Sequence, residues 1–104
     1  MTTPLILHSL AWYGRDLPAD TDHELAAIGR GSLLLIHVPP GDYAFEQHAL
    51  PEFIVCIDGR IGIETSDGDL QNASVGQMIE ITAGVRHRFA SDSDAVILTL
   101  AQRA

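Results

Sequence analysis

From Ser32 onward, short apolar runs alternate with turn-forming Gly, Asp and Pro, and this punctuation most limits the fold. Leu33 to Val38 is apolar and β-branched, and Pro39-Pro40-Gly41 ends it. Tyr43 to His48 alternates until Ala49-Leu50-Pro51 interrupts; Pro51 cannot donate to a ladder, so it marks an edge or bulge. Phe53 to Ile57 reads as a strand, Asp58-Gly59 as a hairpin turn, and Arg60 to Thr65 as the returning strand. Asp67-Gly68 gives a second turn, followed by strands at Leu70 to Val75, Gln77 to Ile81, Arg86 to Ala90 and Ala95 to Ala101. Strands this short and evenly spaced predict an all-β, antiparallel sandwich or barrel with little or no helix.

The 104 residues make one domain. Within it, residues 1–31 are read as an N-terminal segment packing on a barrel of residues 32–104. Leu5, Ile6 and Leu7 could start a strand, and Trp12 and Tyr13 are bulky enough to cover one end of a core. Arg15 to Asp22 contains Pro18 and several Asp, as a surface loop would. Asp22 to Gly31 carries helix-favouring residues and a candidate cap at Asp22, but its shortness and the strands after it favour a strand.

Charge and cysteine count exclude several functions. A net charge of −8, with six cationic side chains that are all Arg, argues against binding a phosphate backbone. No apolar run is long enough to cross a bilayer, so no membrane partner is expected. The first residues lack a basic segment, so no signal peptide is expected and the cytoplasm is the default location. The single Cys56 rules out an internal disulfide and a multi-thiolate zinc site, and is read as core packing.

Side-chain direction points to an interior site. Strand residues alternate faces, so Glu46 and His48 share one, and His87 and Phe89 oppose Arg86 and Arg88. With the arginines solvated, His87 points inward. If Glu52 also faces inward, Ile54 and Cys56 follow it. The inward polar set is then His48, Glu52, His87 and Glu46, inside a ligand pocket of Ile54, Cys56, Ile79, Ile81 and Phe89. An apolar cavity with a few convergent polar groups suits a metal or a small molecule. His8, His23 and His37 have no such company and are read as structural.

Phe53 to Ile57 is apolar on both faces, whereas a strand with one wet face alternates. Its second face therefore needs a cover, either the N-terminal segment with Trp12 and Tyr13 or another subunit of a homodimer.

These residues resemble a small single-domain cupin over roughly Ser32 to Ala101. The family's first motif is matched by Gly41, His48, Glu52 and Gly59, with Glu46 where the first histidine of a His-x-His pair would stand. The gap after Gly41 is one residue short, so Gln47, which shares a face with Tyr43 and Phe45, is the alternative at that place. The second motif is matched by Gly76, Gly84 and His87, with Thr82 replacing a proline.

The resemblance implies a jelly-roll β-barrel holding one divalent transition metal through His48, Glu52, His87 and Glu46. Two His with a carboxylate suit Mn, Fe, Ni or Zn and leave coordination positions open. It further implies metal-dependent dioxygenation, isomerisation or similar chemistry on a small organic molecule. The alternative is a metal-free barrel that binds or senses a small ligand.

Overall fold

The computed structural model describes residues 4–102. The chain begins with a short helix, α1 (Leu10–Arg15), and continues with β1 (His23–Ile28), β2 (Gly31–Val38), β3 (Glu52–Thr65), β4 (Leu70–Ser74), β5 (Met78–Ile81), β6 (His87–Phe89) and β7 (Asp94–Gln102). All strand pairs are antiparallel. The hydrogen-bonded path runs β1-β2-β7-β3-β4, with β5 and β6 also on β3. The all-β antiparallel expectation holds, but the sheet does not close on itself: β1 and β4 end the path without pairing to each other.

The long strand β3 organises the fold. Its first residues pair with β7 on one side and β5 on the other; its last residues pair with β4 and β6. Within one seven-stranded sheet β3 changes partners along its length, and its pairing with β7 is irregular next to Asp58-Gly59. The expected hairpin turn there is not formed; the strand continues through it, with a register shift against β7 between Cys56 and Asp58.

That bulge changes which residues face inward. Before it, Ile54 and Cys56 are buried; after it, Ile61 and Ile63 are. A one-residue insertion shifts the parity of the side chains, so both halves of β3 keep isoleucines in one core. Gly59 is required because its φ is 73° and any Cβ would collide with the Asp94 carbonyl oxygen. The Asp-Gly pair carries the same local signal for a turn and for a bulge, and β7 pairing along the strand selects the bulge. Asp67-Gly68 does form the expected turn, joining β3 to β4.

The core contains Ile36, Val38, Ile54, Cys56, Ile61, Ile63, Ala73, Ile81, Ala95 and Ile97, with Tyr43, Ile79 and Phe89 packed against it. Cys56 is fully buried, as expected of a packing residue, and burial raises its thiol pKa. Tyr43 to His48 does not form a strand. It makes one isolated bridge, Glu46 to His87, because the prolines on either side leave little extended chain to pair.

The N-terminal segment differs from expectation in two ways. Leu5, Ile6 and Leu7 form no strand and are exposed. Trp12 is 77% exposed and Tyr13 is 45% exposed, so the aromatics do not cap the core. The buried residue of α1 is Gly14, whose lack of a Cβ lets the helix close onto Val96. Arg15 at the helix end binds Asp58 at 2.7 Å and Asp94 at 2.6 Å, clamping helix, bulge and β7. Within the 22–31 stretch His23–Ile28 is a strand, β1, as favoured.

Candidate metal centre

The two histidine segments are held together by backbone. Glu46 and His87 exchange both amide-to-carbonyl hydrogen bonds, at 2.7 and 2.9 Å. Residues directly opposed in an antiparallel pair project to the same face. Two residues on, the Gly84 amide donates to the His48 carbonyl at 2.8 Å, and the Gln47 amide nitrogen donates to the Gly84 carbonyl at 2.9 Å. Gln47 is thereby committed to the backbone, and Glu46 is the residue that faces the site. The Thr82 turn closes without a proline, through a Val85 amide bond to the Thr82 carbonyl.

Four side chains converge. His48 Nε2 lies 3.4 Å from Glu46 Oε2 and 3.8 Å from Glu52 Oε1, while His87 Nε2 lies 3.4 Å from Glu52 Oε1. Ligand atoms of Glu46, His48 and His87 all fall within 4.8 Å of one another. Glu52 enters from the start of β3, where it shares the inward face with Ile54 and Cys56 as expected. His87 is buried, Glu52 is largely so, and Glu46 and His48 form the open side.

This donor set fits a divalent ion. Donors about 2.1 Å from one centre lie roughly 3–4 Å apart, so the exposed Glu46 and His48 need only small movements. The His87 ring is already oriented: its Nδ1 lies 2.8 Å from the Val85 carbonyl, so Nδ1 carries the proton and Nε2 points at the site. Glu52 beside Nε2 raises the His87 pKa; the Val85 carbonyl and the Glu46 charge add to this, and burial opposes it.

A cavity of about 180 Å³ adjoins the cluster and is lined by all four of these residues. Of the expected pocket residues only Phe89 lines it. Ile79 and Ile81 instead line a larger cavity of about 490 Å³ on the other side of His87, and Ile54 and Cys56 are packed into the core and line neither. The smaller cavity is the relevant one, since Glu46, His48 and Glu52 do not reach the larger.

The small cavity is also lined by Asp20, Asp22, Arg88 and Thr99, among others. Asp20 has a φ of 51° and a raised pKa, first from burial and then from the Glu46 and Asp22 charges. Arg88 is not simply solvated; it pairs with Glu64 at 2.6 Å and stacks over Phe45 at 4.2 Å, while Arg86 is exposed. The inward alternation of β7 could have pointed to Thr99. Nothing local could have pointed to Asp20 and Asp22, which arrive only because Asp20 donates its amide to His37 at the end of β2. His37 itself is bonded to the Leu17 carbonyl, and His23 packs on Tyr13, in keeping with structural roles.

Among curated proteins none matches this sequence. Solved structures do match in fold. A cupin-2 domain protein of Shewanella frigidimarina superposes with a TM-score of 0.77 at 19% identity, covering 88% of this chain and 89% of that one. A Neisseria meningitidis protein gives 0.78 at 15% identity, covering 94% and 100%. The EutQ protein of Clostridium difficile gives 0.70 at 21% identity, covering 80% of this chain and 61% of its own. The profile of the cupin domain matches residues 34–101, which is most of the chain and contains all four converging residues. The chain belongs to the cupin family.

Proposed function

We propose that this cupin binds one divalent transition metal through Glu46, His48, Glu52 and His87, and uses it on a small organic molecule in the adjoining cavity. The observation that carries the reading is the convergence of these donors across two segments zipped together at Glu46 and His87. A metal held there would supply Lewis acidity to a ligand oxygen. The protein's own part is to orient His87 through Val85, to offer carboxylates that offset the ion's charge, and to enclose the ligand beside Phe89 and Tyr43. Dioxygenation and isomerisation are the reaction types to screen.

Elemental analysis of the purified full chain, beside His87→Ala, tests the reading. About one transition metal per chain, lost in the variant, supports it. No metal after incubation with manganese, iron, nickel and zinc overturns it and leaves a cupin fold that binds a small ligand without metal.

The same proposal includes a homodimer. Phe53 and Val55 face outward and are only half-buried, opposite Leu100 and Leu98 of β7, with Met78 beside them. Trp12 and Tyr13 are too exposed to be the cover. A second copy laid on this face would bury it. Light scattering on the parent and on Leu100→Asp tests this: a dimer that the substitution splits supports the contact, and a monomeric parent removes it.

A further inference from the structure

Around the first half of β3 the strands run β1-β2-β7-β3-β5. Ile36, Ile54 and Ile97 point into the core. Alternation therefore turns Leu35, Val96, Leu98, Leu100, Phe53 and Val55 to the opposite, outer face.

The N-terminal segment covers part of this face and stops. Gly14 of α1 packs on Val96, and Val96 and Leu35 are fully buried. The chain before and within α1 lies along β1, where Leu7 and Tyr13 share a cavity wall with His23 and Leu25. Further along β7, Leu98 is only half-buried and Leu100 is exposed. Phe53 and Val55 beside them are half-buried, and Met78 on β5 is exposed. The outer face thus has a raised part over β1 and the start of β7, and a bare part over the end of β7, β3 and β5.

The raised part is itself apolar where it meets water. Leu5, Ile6 and Leu7 are 83, 74 and 93% exposed, and Trp12 stands out beside them. Residues 4–8 make no backbone hydrogen bond among the described residues. No Asp, Glu, Lys or Arg precedes Arg15, in a chain whose net charge is −8. A run of apolar side chains held out in water on an uncharged segment marks a contact surface.

A second copy is the occupant that fits. Phe53, Val55, Met78, Leu98 and Leu100 alone present much less than the roughly 800 Å² per partner of a standard interface. Leu5, Ile6, Leu7 and Trp12 of a partner enlarge the contact with side chains of the same chemistry. A two-fold axis along the strands lays the raised part of each protomer against the bare part of the other. An axis across the strands would instead drive the two raised parts together.

We propose that the dimer exchanges its N-terminal segments: residues 4–12 of each protomer lie over the β3–β5 side of the partner's outer face, and Trp12 is buried there. The proposal rests on the homodimer reading above and assigns the partner's segment as the cover that this face lacks in a single chain.

Trp12 is the chain's only tryptophan, so its fluorescence follows this segment. Emission and acrylamide quenching of the full chain are measured on dilution, with mass from sedimentation in the same samples. In concentrated protein the emission should be blue-shifted and protected. Dilution should expose Trp12 with the same midpoint as the loss of dimer mass. Leu7→Asp should weaken the dimer about ten-fold or more. Its circular dichroism should match the parent, since Leu7 is almost fully exposed in its own chain. Oxidising a mixture of Leu7→Cys and Met78→Cys chains should cross-link the two, far more than either variant alone; the native Cys56 is buried and does not compete.

A monomeric parent overturns this proposal together with the homodimer reading. A dimer whose Trp12 stays open to acrylamide, or one that Leu7→Asp leaves at parent strength, overturns the exchange and leaves the homodimer standing. Cross-linking confined to Leu7→Cys alone sets segment against segment and also overturns it.

Discussion

His87 Nε2 lies 3.4 Å from Glu52 Oε1, while the opposite ring nitrogen is tied to the Val85 carbonyl at 2.8 Å. One buried imidazole is thereby pinned at both ends, with a carboxylate facing the nitrogen that a metal would take. The orientation of the His87 ring is thus set by protein groups alone.

His87→Ala should therefore cost more metal affinity than loss of an outer-shell partner, which typically costs about 10–100-fold. Affinity measured by competition with a zinc chelator should fall by at least about 100-fold. Circular dichroism should show the β structure retained, since β6 pairs through its backbone. Retention of parent affinity in the variant would remove His87 from the ligand set.

Glu46 and Gln47 should behave oppositely. Glu46 has its carboxylate 3.4 Å from His48, whereas the Gln47 side chain is spent on the Gly84 carbonyl. Glu46→Gln removes a charged donor and should weaken metal binding by about ten-fold or more. Gln47→Ala should leave affinity nearly unchanged and cost about 1 kcal/mol of stability from the lost hydrogen bond. The reverse ranking by calorimetry would transfer the first-ligand place to Gln47.

The pH dependence of the metal-free protein follows from the raised His87 pKa, whose first cause is Glu52. The folded protein holds the His87 proton more tightly than the unfolded chain, whose value is near 6.5. This contribution is fully present below that value and is lost as pH rises through the higher folded value. Urea midpoints of metal-free parent should fall across this window relative to His87→Gln. A parent and variant that track each other across the window would show that the pair does not stabilise the fold. With zinc bound the sign reverses, because the ion and the proton compete for Nε2.

Gly59→Ala should be among the most damaging single-methyl changes in the chain. Its φ of 73° disfavours a side chain, and the added Cβ would strike the Asp94 carbonyl oxygen. A loss of about 3 kcal/mol or more is expected. Gly68→Ala shares the positive φ but meets nothing within 4 Å, so it should cost only about 1 kcal/mol. Equal urea midpoints for the two variants would mean that the bulge yields and that the collision is relieved.

Local chemistry determined much of this protein. Turn residues and short apolar runs specified antiparallel strands, and the alternation of Arg86, His87, Arg88 and Phe89 placed His87 inside. The spacing of His48, Glu52 and His87 marked residues that the fold does bring together. These features were legible because strand periodicity and turn preference act within a few residues.

Tertiary structure decided the rest. Asp58-Gly59 is compatible with a turn or a bulge, and only the β7 ladder running past it makes it a bulge. Glu46 prevails over Gln47 because its backbone is bonded to His87, a partner far along the chain. Ile79 and Ile81 line the far side of His87, and Asp20, Asp22 and Thr99 share the near cavity, because strands distant in sequence are stacked around one core. Pairing register and cavity shape arise from long-range contacts, and no window of neighbouring residues contains them.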